Sequence, residues 1–246
     1  MKRAVIFGIL CITLVFSSCV LEEIASGVVT TGNGTTTGPP ALTNDEVIAG
    51  LKEALTIGIK KGAEMASITD GFFKNDIIKI PFPEEAVAIK DKAIEWGLQG
   101  KVDEIILTMN RAAEVASQKA TPIFVDAITN MSIGDGFEIL KGSDSAATMY
   151  LTRTTTGALT TAFTPVVHDA IETVELTKYW NPVATKYNQW AKLTNKSEVN
   201  PDLDKYVTER AISGLFYLVK QEEKKIRKDP VAQVTDLLKK VFGSLL

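Results

Sequence analysis

Along most of this chain apolar residues recur every three to four positions. Val47, Leu51, Ala54, Leu55, Gly58 and Gly62 place an apolar, locally small stripe on one helix face. Thr43-Asn44-Asp45-Glu46 ahead of it has capping-box spacing: the threonine oxygen accepts from the Glu46 amide while the glutamate reaches back. Thr69-Asp70-Gly71 predicts a turn, and Phe72 to Pro83 a long connection in which Ile77 to Ile80 is the strand candidate. The helical period returns at Glu84, with Pro83 at the start and Gly97 at the end. Further helices are expected over about Lys101 to Gln118, from Thr121-Pro122 through Met131, and from Ser132 with Asp135 to Gly142. Tyr179 to Leu193 reads as a helix interrupted near Asn181-Pro182. Leu203 to Lys228 reads as a long helix, apolar on nearly all sides between Ala211 and Val219, and Val231, Val234, Leu238, Val241, Phe242 and Leu245 mark a closing amphipathic one.

One stretch departs from this regularity. From Leu140 to Pro165 the chain is small and uncharged apart from Asp144 at its start, Lys141 and Arg153, and it holds eight threonines between Thr148 and Thr164. Threonine favours strand, but Asp144-Ser145-Ala146-Ala147 is a helix start, the flanking segments are helical, and an isolated hairpin would leave unpaired edges. The expectation is a helix in the middle of the core, capped by Ser143 or Asp144, pausing near Gly157 and restarting at Thr164-Pro165.

The amino end follows different rules. Lys2 and Arg3 precede an apolar run from Ala4 to Phe16, and Ser17-Ser18-Cys19 closes it, which is the layout of a secretory signal too short to span a bilayer as a helix. The Ser-Ser-Cys ending resembles a bacterial lipobox, with residues 1–18 removed and Cys19 acylated. Residues 19–42 include SGVVTTGNGTTTGPP, a low-complexity tether whose root-mean-square reach is roughly 25 Å. Residues 43–246 then form the folded part. The fold class expected is all-α, a single compact domain of about nine helices behind a signal peptide and a flexible tether.

Composition narrows the chemistry. There are 27 basic and 30 acidic residues, and loss of Lys2 and Arg3 would deepen the negative balance, which argues against a nucleic-acid partner. Both cysteines, Cys11 and Cys19, lie in the first nineteen residues, so the folded part contains no disulfide and no thiolate ligand. His168 is the sole histidine, which rules out HExxH and multi-histidine metal sites. No cofactor is expected. Gly97-Leu98-Gln99-Gly100-Lys101 fails as a phosphate loop because two residues separate its glycines. Asp103, Glu104, Asp126, Asp135, Glu138, Asp144 and Glu172 are available as paired carboxylates for hydrolysis, but no spacing singles out an acid and a base.

Three polar residues in apolar surroundings form the candidate site: Asn110 and Arg111 in the helix around Ile105 to Val115, and Arg153 in the threonine stretch. Facing one cavity, the two arginines would hold a phosphate or carboxylate through forked hydrogen bonds. The plainer reading pairs each with a carboxylate of the fold, such as Glu104 or Asp144. Lys220 to Lys240, with seven basic and four acidic residues, reads either as a face toward anionic lipid or as a solvated, salt-bridged helix.

AGLKEAL at Ala49 to Leu55, DEIILTMNRAAE at Asp103 to Glu114, ATPIFVDAI at Ala120 to Ile128, SDSAATMYLTRTTT at Ser143 to Thr156, DLDKYVTERAISGLF at Asp202 to Phe216 and LLKKVFG at Leu237 to Gly243 together resemble a bacterial envelope family known only as domain of unknown function 4197. The resemblance implies an exported, often lipid-anchored, mostly helical domain, and it supplies no catalytic residues. Val20 is not the aspartate associated with inner-membrane retention in lipoproteins of this kind, so the outer membrane is the expected address. The expected function is non-enzymatic binding or scaffolding. The membrane would be a partner through the acyl chains, and the domain would take an apolar or anionic small ligand or an envelope protein. An envelope hydrolase using paired carboxylates and a purely structural lipoprotein are the alternatives.

Overall fold

Two capping boxes set the first boundaries. In a computed structural model, which describes residues 43–173, 176–195, 198 and 202–228, the Thr43 side chain accepts from the Glu46 amide and Glu46 returns the contact, starting α1 (Asn44–Ser67). Ser132 and Asp135 do the same for α5 (Ile133–Lys141). A 3-10 turn over Glu84–Ala86 leads into α2 (Val87–Glu95), followed by α3 (Gln99–Ser117) and α4 (Ala120–Thr129). Then come α6 (Ala146–Thr173), α7 (Leu176–Thr194) and α8 (Leu203–Lys228). No strand occurs among the described residues.

The all-α expectation therefore holds, with eight α-helices rather than about nine among the described residues. Helix α6 runs through Gly157 and Pro165 without the expected pause, and α7 runs through Asn181-Pro182. Pro165 sits on an exposed turn of α6, so the carbonyl of Thr161, which loses its amide partner, lies on the solvent side of the helix. The closing helix expected over Val231 to Leu245, the signal and the tether with Cys19 lie outside the described residues.

Helices α3 and α8 pack on each other and on both α1 and α6 as the core, with α4 and α5 against α1 and α6. The two closest pairs are antiparallel. A Cβ on Gly58 would lie 2.8 Å from Ile226 Cδ1, and one on Gly62 would lie 3.2 Å from both Cα and N of Val219, so the glycine face of α1 lets the α8 backbone approach. Along α6, Glu223 meets Thr148 at one end and Asp204 meets His168 at the other.

Helix α6 corrects the expectation drawn from its composition. It is not buried all round. The buried residues Ala147, Leu151, Thr155, Leu159, Phe163, Val167 and Ile171 recur every fourth position. A four-residue step overshoots a helical turn by roughly 40°, so this stripe winds around the helix and meets different neighbours along its length. Six of its threonines face solvent: Thr152, Thr154, Thr156, Thr160, Thr161 and Thr164 are exposed. Each of those six, and Thr155, donates its hydroxyl to the carbonyl four residues earlier, at 2.6 to 3.0 Å. That bond occupies the hydroxyl within the helix and explains how a threonine-rich segment stays helical without burial. In the first turn of α6 Ala146 N donates to the Ser143 carbonyl at 3.0 Å, but the two amides that follow are capped from α8 and not by the side chain of Ser143 or Asp144. Glu223 of α8 accepts from Ala147 N at 3.0 Å and Thr148 N at 2.9 Å, while Asp144 pairs with Lys228.

The contrast between two glycines is testable. Gly62→Ala is expected to lower stability by about 1–3 kcal/mol through forced separation of α1 from α8. Gly157→Ala meets nothing within 4 Å and is expected to raise stability by up to about 1 kcal/mol through helix propensity. Urea unfolding of the two variants checks this, and equal midpoints would refute the close-approach account.

Candidate functional site

The connection between α1 and α2 is where the candidate residues act. Residues 68–83 contain no strand at Ile77 to Ile80; the segment is a series of turns that drives Phe72, Ile78, Ile80 and Phe82 into the core. Asp70 adopts a positive φ of 70°. Gly214 on α8 makes the room: a Cβ there would lie 2.6 Å from Phe72 Cε1 and 3.1 Å from Ile78 Cβ. Burying such a segment removes water from its backbone, and each amide and carbonyl then needs a protein partner.

Helix α3 supplies those partners. Asn110 is fully buried and its amide oxygen accepts from Ile80 N at 2.8 Å, while its nitrogen donates to Ile80 O at 2.9 Å and Ile106 O at 2.7 Å. One turn on, Glu114 Oε1 accepts from Phe72 N at 3.1 Å and Phe73 N at 3.2 Å. Its other oxygen accepts from Arg111 at 2.6 Å, and Arg111 also donates to Asp70 Oδ1 at 2.7 Å. The guanidinium lies 5.7 Å from the centre of the Phe73 ring. Hydrogen bonds from Lys74 and then Arg111 hold the Asp70 carboxyl below its usual range, and bonds to Glu114 and Asp70 push the Arg111 guanidinium up. Asn110 and Glu114 thus hold the loop by its backbone, and Arg111 between them holds it through the Asp70 carboxylate.

Arg153 belongs elsewhere. It is 69% exposed on α6, 3.8 Å from Asp135 and 5.8 Å from the centre of the Tyr150 ring. Its partners and those of Arg111 do not overlap. The carboxylates available for hydrolysis also have local partners: Glu104 binds Lys101, Asp103 binds Gln99, Asp126 binds Asn130 and Glu172 lies 3.4 Å from His168 Nε2. Hydrogen bonds from Ser132 hold Asp135 below the ordinary carboxylate range, and the Lys228 hydrogen bond does the same for Asp144. On α8, Glu222 takes Lys61 at 3.4 Å and Lys225. Arg227 reaches Glu223 at 3.0 Å and Ile139 O at 2.8 Å, so Lys225, Arg227 and Lys228 of this helix end are engaged within the fold.

One further place has geometry suited to contact with something else. An open groove of about 510 Å³ lies between α4 and α6, with Pro122, Ile123, Ala127 and Ala158 as apolar walls and Tyr150 and Asp126 among its polar groups. The Tyr150 hydroxyl donates to Ala127 O at 3.3 Å, and burial followed by the Asp135 charge pushes its pKa up. His168 Nδ1 lies 2.6 Å from Asp204 Oδ2, tying α6 to the start of α8, and that contact raises the imidazole pKa. Sequence reasoning found Asn110 and Arg111 because a polar pair interrupts an apolar run. It missed Glu114 and Glu223, each of which looks like an ordinary glutamate of a solvated helix face.

Asn110→Ala is expected to cost about 3 kcal/mol, because two buried backbone groups of Ile80 lose their partner, whereas Arg153→Ala should change stability by less than about 0.5 kcal/mol. Urea midpoints measure both, and the Ile80 amide should lose hydrogen-exchange protection only in the former. A neutral Asn110→Ala would remove the loop-clamp account.

For His168, the folded pKa is raised above 6.5, so its stabilisation is fully present below that pH and fades as pH rises through the folded value. His168→Gln should therefore be less stable than wild type at low pH, with the difference shrinking in alkaline buffer. Equal destabilisation at both ends of the range would rule out charge pairing with Asp204.

No curated protein and no solved structure matches this chain. A family model described as "Protein of unknown function (DUF4197)" matches residues 41–243, in agreement with the motifs in the sequence, and the chain belongs to that family.

Proposed function

We propose that this protein is a lipoprotein of the bacterial envelope, acylated at Cys19 and held at the outer membrane, whose helical domain is a non-catalytic binding or scaffolding module. The signal layout ending in Ser17-Ser18-Cys19 supports the anchor. The observation that carries the second half is how the polar side chains are used. Asn110 and Glu114 satisfy loop amides, and Glu223 satisfies the amides that open α6. These are scaffold roles.

The groove between α4 and α6 is the binding place this reading favours. Its walls are mainly apolar; the hydroxyls of Tyr150, Thr154 and Thr155 donate to backbone carbonyls of the fold, which leaves their oxygens to accept from a polar end. Asp126 lies in the same lining, which disfavours an anion and points to an apolar small ligand with a neutral hydrogen-bonding group.

Cys19→Ala is expected to abolish incorporation of radioactive palmitate and flotation with membranes; retention of both overturns the anchor. Native mass spectrometry of the whole mature chain from its own envelope should show a small apolar adduct that disappears in Ala158→Trp, whose exposed position accepts a larger side chain into the groove. A bare mass in the wild type, or an adduct that survives Ala158→Trp, overturns the groove as its site.

A further inference from the structure

The corner between α2 and α3 presents large apolar side chains that the fold does not use. Every residue from Ile94 to Lys101 is exposed. Trp96 is 74% exposed, Leu98 47% and Ile94 37%. Helix α2 packs chiefly on α3 and on the 3-10 turn before it, so this corner projects from the bundle. A Cβ at Gly97 or Gly100 would have nothing within 4 Å.

The corner is also fixed in shape. Gly97, at φ 78°, donates to Ile94 O at 2.9 Å, and Leu98 donates to Ala93 O at 2.9 Å. This double closure is the Schellman motif, which needs glycine at the left-handed position and holds the residues on either side in place. Trp96 and Leu98 are therefore displayed by a rigid turn, and little conformational freedom remains to be lost when they are covered.

We propose that this corner inserts into the interfacial layer of the bilayer to which the acyl chains anchor the protein, with Trp96 and Leu98 as the inserted side chains and Ile94 beside them. The inference rests on the lipoprotein reading above. Tryptophan has an apolar body and a hydrogen-bonding edge, a combination favoured at the headgroup level. On that reading the chain between Cys19 and Thr43, taken as a flexible coil with a root-mean-square reach of roughly 25 Å, would hold the domain near the lipid. Charge does not drive the contact. Around the corner Lys101 lies 2.7 Å from Glu104, Gln99 donates to Asp103 at 2.7 Å, and Lys90 lies 3.8 Å from Asp91. The attraction is apolar, so it is indifferent to lipid charge and to salt, unlike a basic patch.

The test uses the acylated, mature full-length protein on phosphatidylethanolamine–phosphatidylglycerol vesicles with and without brominated acyl chains, read by tryptophan emission. Bromine should quench part of the wild-type emission. Trp96→Ala should remove that quenching, Trp190→Ala should keep it, and raised salt should leave it unchanged. Leu98→Ala, exposed and harmless to the fold, should reduce it. Protein that floats with the vesicles but shows no bromine quenching overturns the insertion and leaves the anchor standing, and this is also the result if the corner binds another protein. Quenching that persists in Trp96→Ala overturns it as well. Quenching without palmitate label leaves the insertion standing and removes the anchor, whereas a chain that neither floats nor is quenched loses both.

Discussion

A helical core that admits a non-helical segment must replace the water its backbone loses, and Asn110 with Glu114 does this for residues 68–83. The carboxamide bonds both the N–H and C=O of Ile80, and the carboxylate takes two consecutive amides at Phe72 and Phe73. Without these bonds Phe72, Ile78 and Ile80 could enter the core only by leaving backbone groups unpaired, at about 1–3 kcal/mol for each group. With them, the loop packs against Gly214 and becomes part of the interface between α3 and α8.

The same solution recurs at the start of α6. Glu223 projects from α8 to cap the amides of Ala147 and Thr148, and Arg227 bridges from that carboxylate to the last turn of α5. A carboxylate at a helix N-terminus meets both unpaired amides and the positive end of the helix dipole. Because Glu223 sits near the end of α8, one side chain fixes the register of α6 against α8, and Asp204 with His168 fixes it again at the other end. Two polar contacts therefore define the alignment of helices whose apolar stripes alone would tolerate sliding.

How much of this was legible in the sequence depended on the distance between partners. The boxes at Thr43 and Ser132 were legible because their partners are three residues apart. The cap of α6 was not, because Glu223 is 76 residues from Ala147, and a glutamate beside two lysines looks solvated. The scarcity of charge between Ala146 and Pro165, with Arg153 alone, suggested burial, yet the threonine hydroxyls bond their own helix and remain at the surface. Asn110 and Arg111 stood out as polar residues in an apolar run, but the pattern could not separate a ligand site from a clamp on the chain's own backbone. That distinction needed the position of Ile80, thirty residues earlier.

The division of labour among polar and apolar groups bears on function. The buried groups Asn110, Glu114 and Glu223 turn inward to the backbone, and among the described residues the α4–α6 groove and the apolar corner at Trp96 are two features open to outside contact. Displaying tryptophan, leucine and isoleucine to water on a rigid projection carries a cost, since such a patch invites association. That cost is offset if the corner is covered in use. A neutral, preshaped corner of this kind is suited to entering an apolar phase without the counter-charges that a basic surface would require.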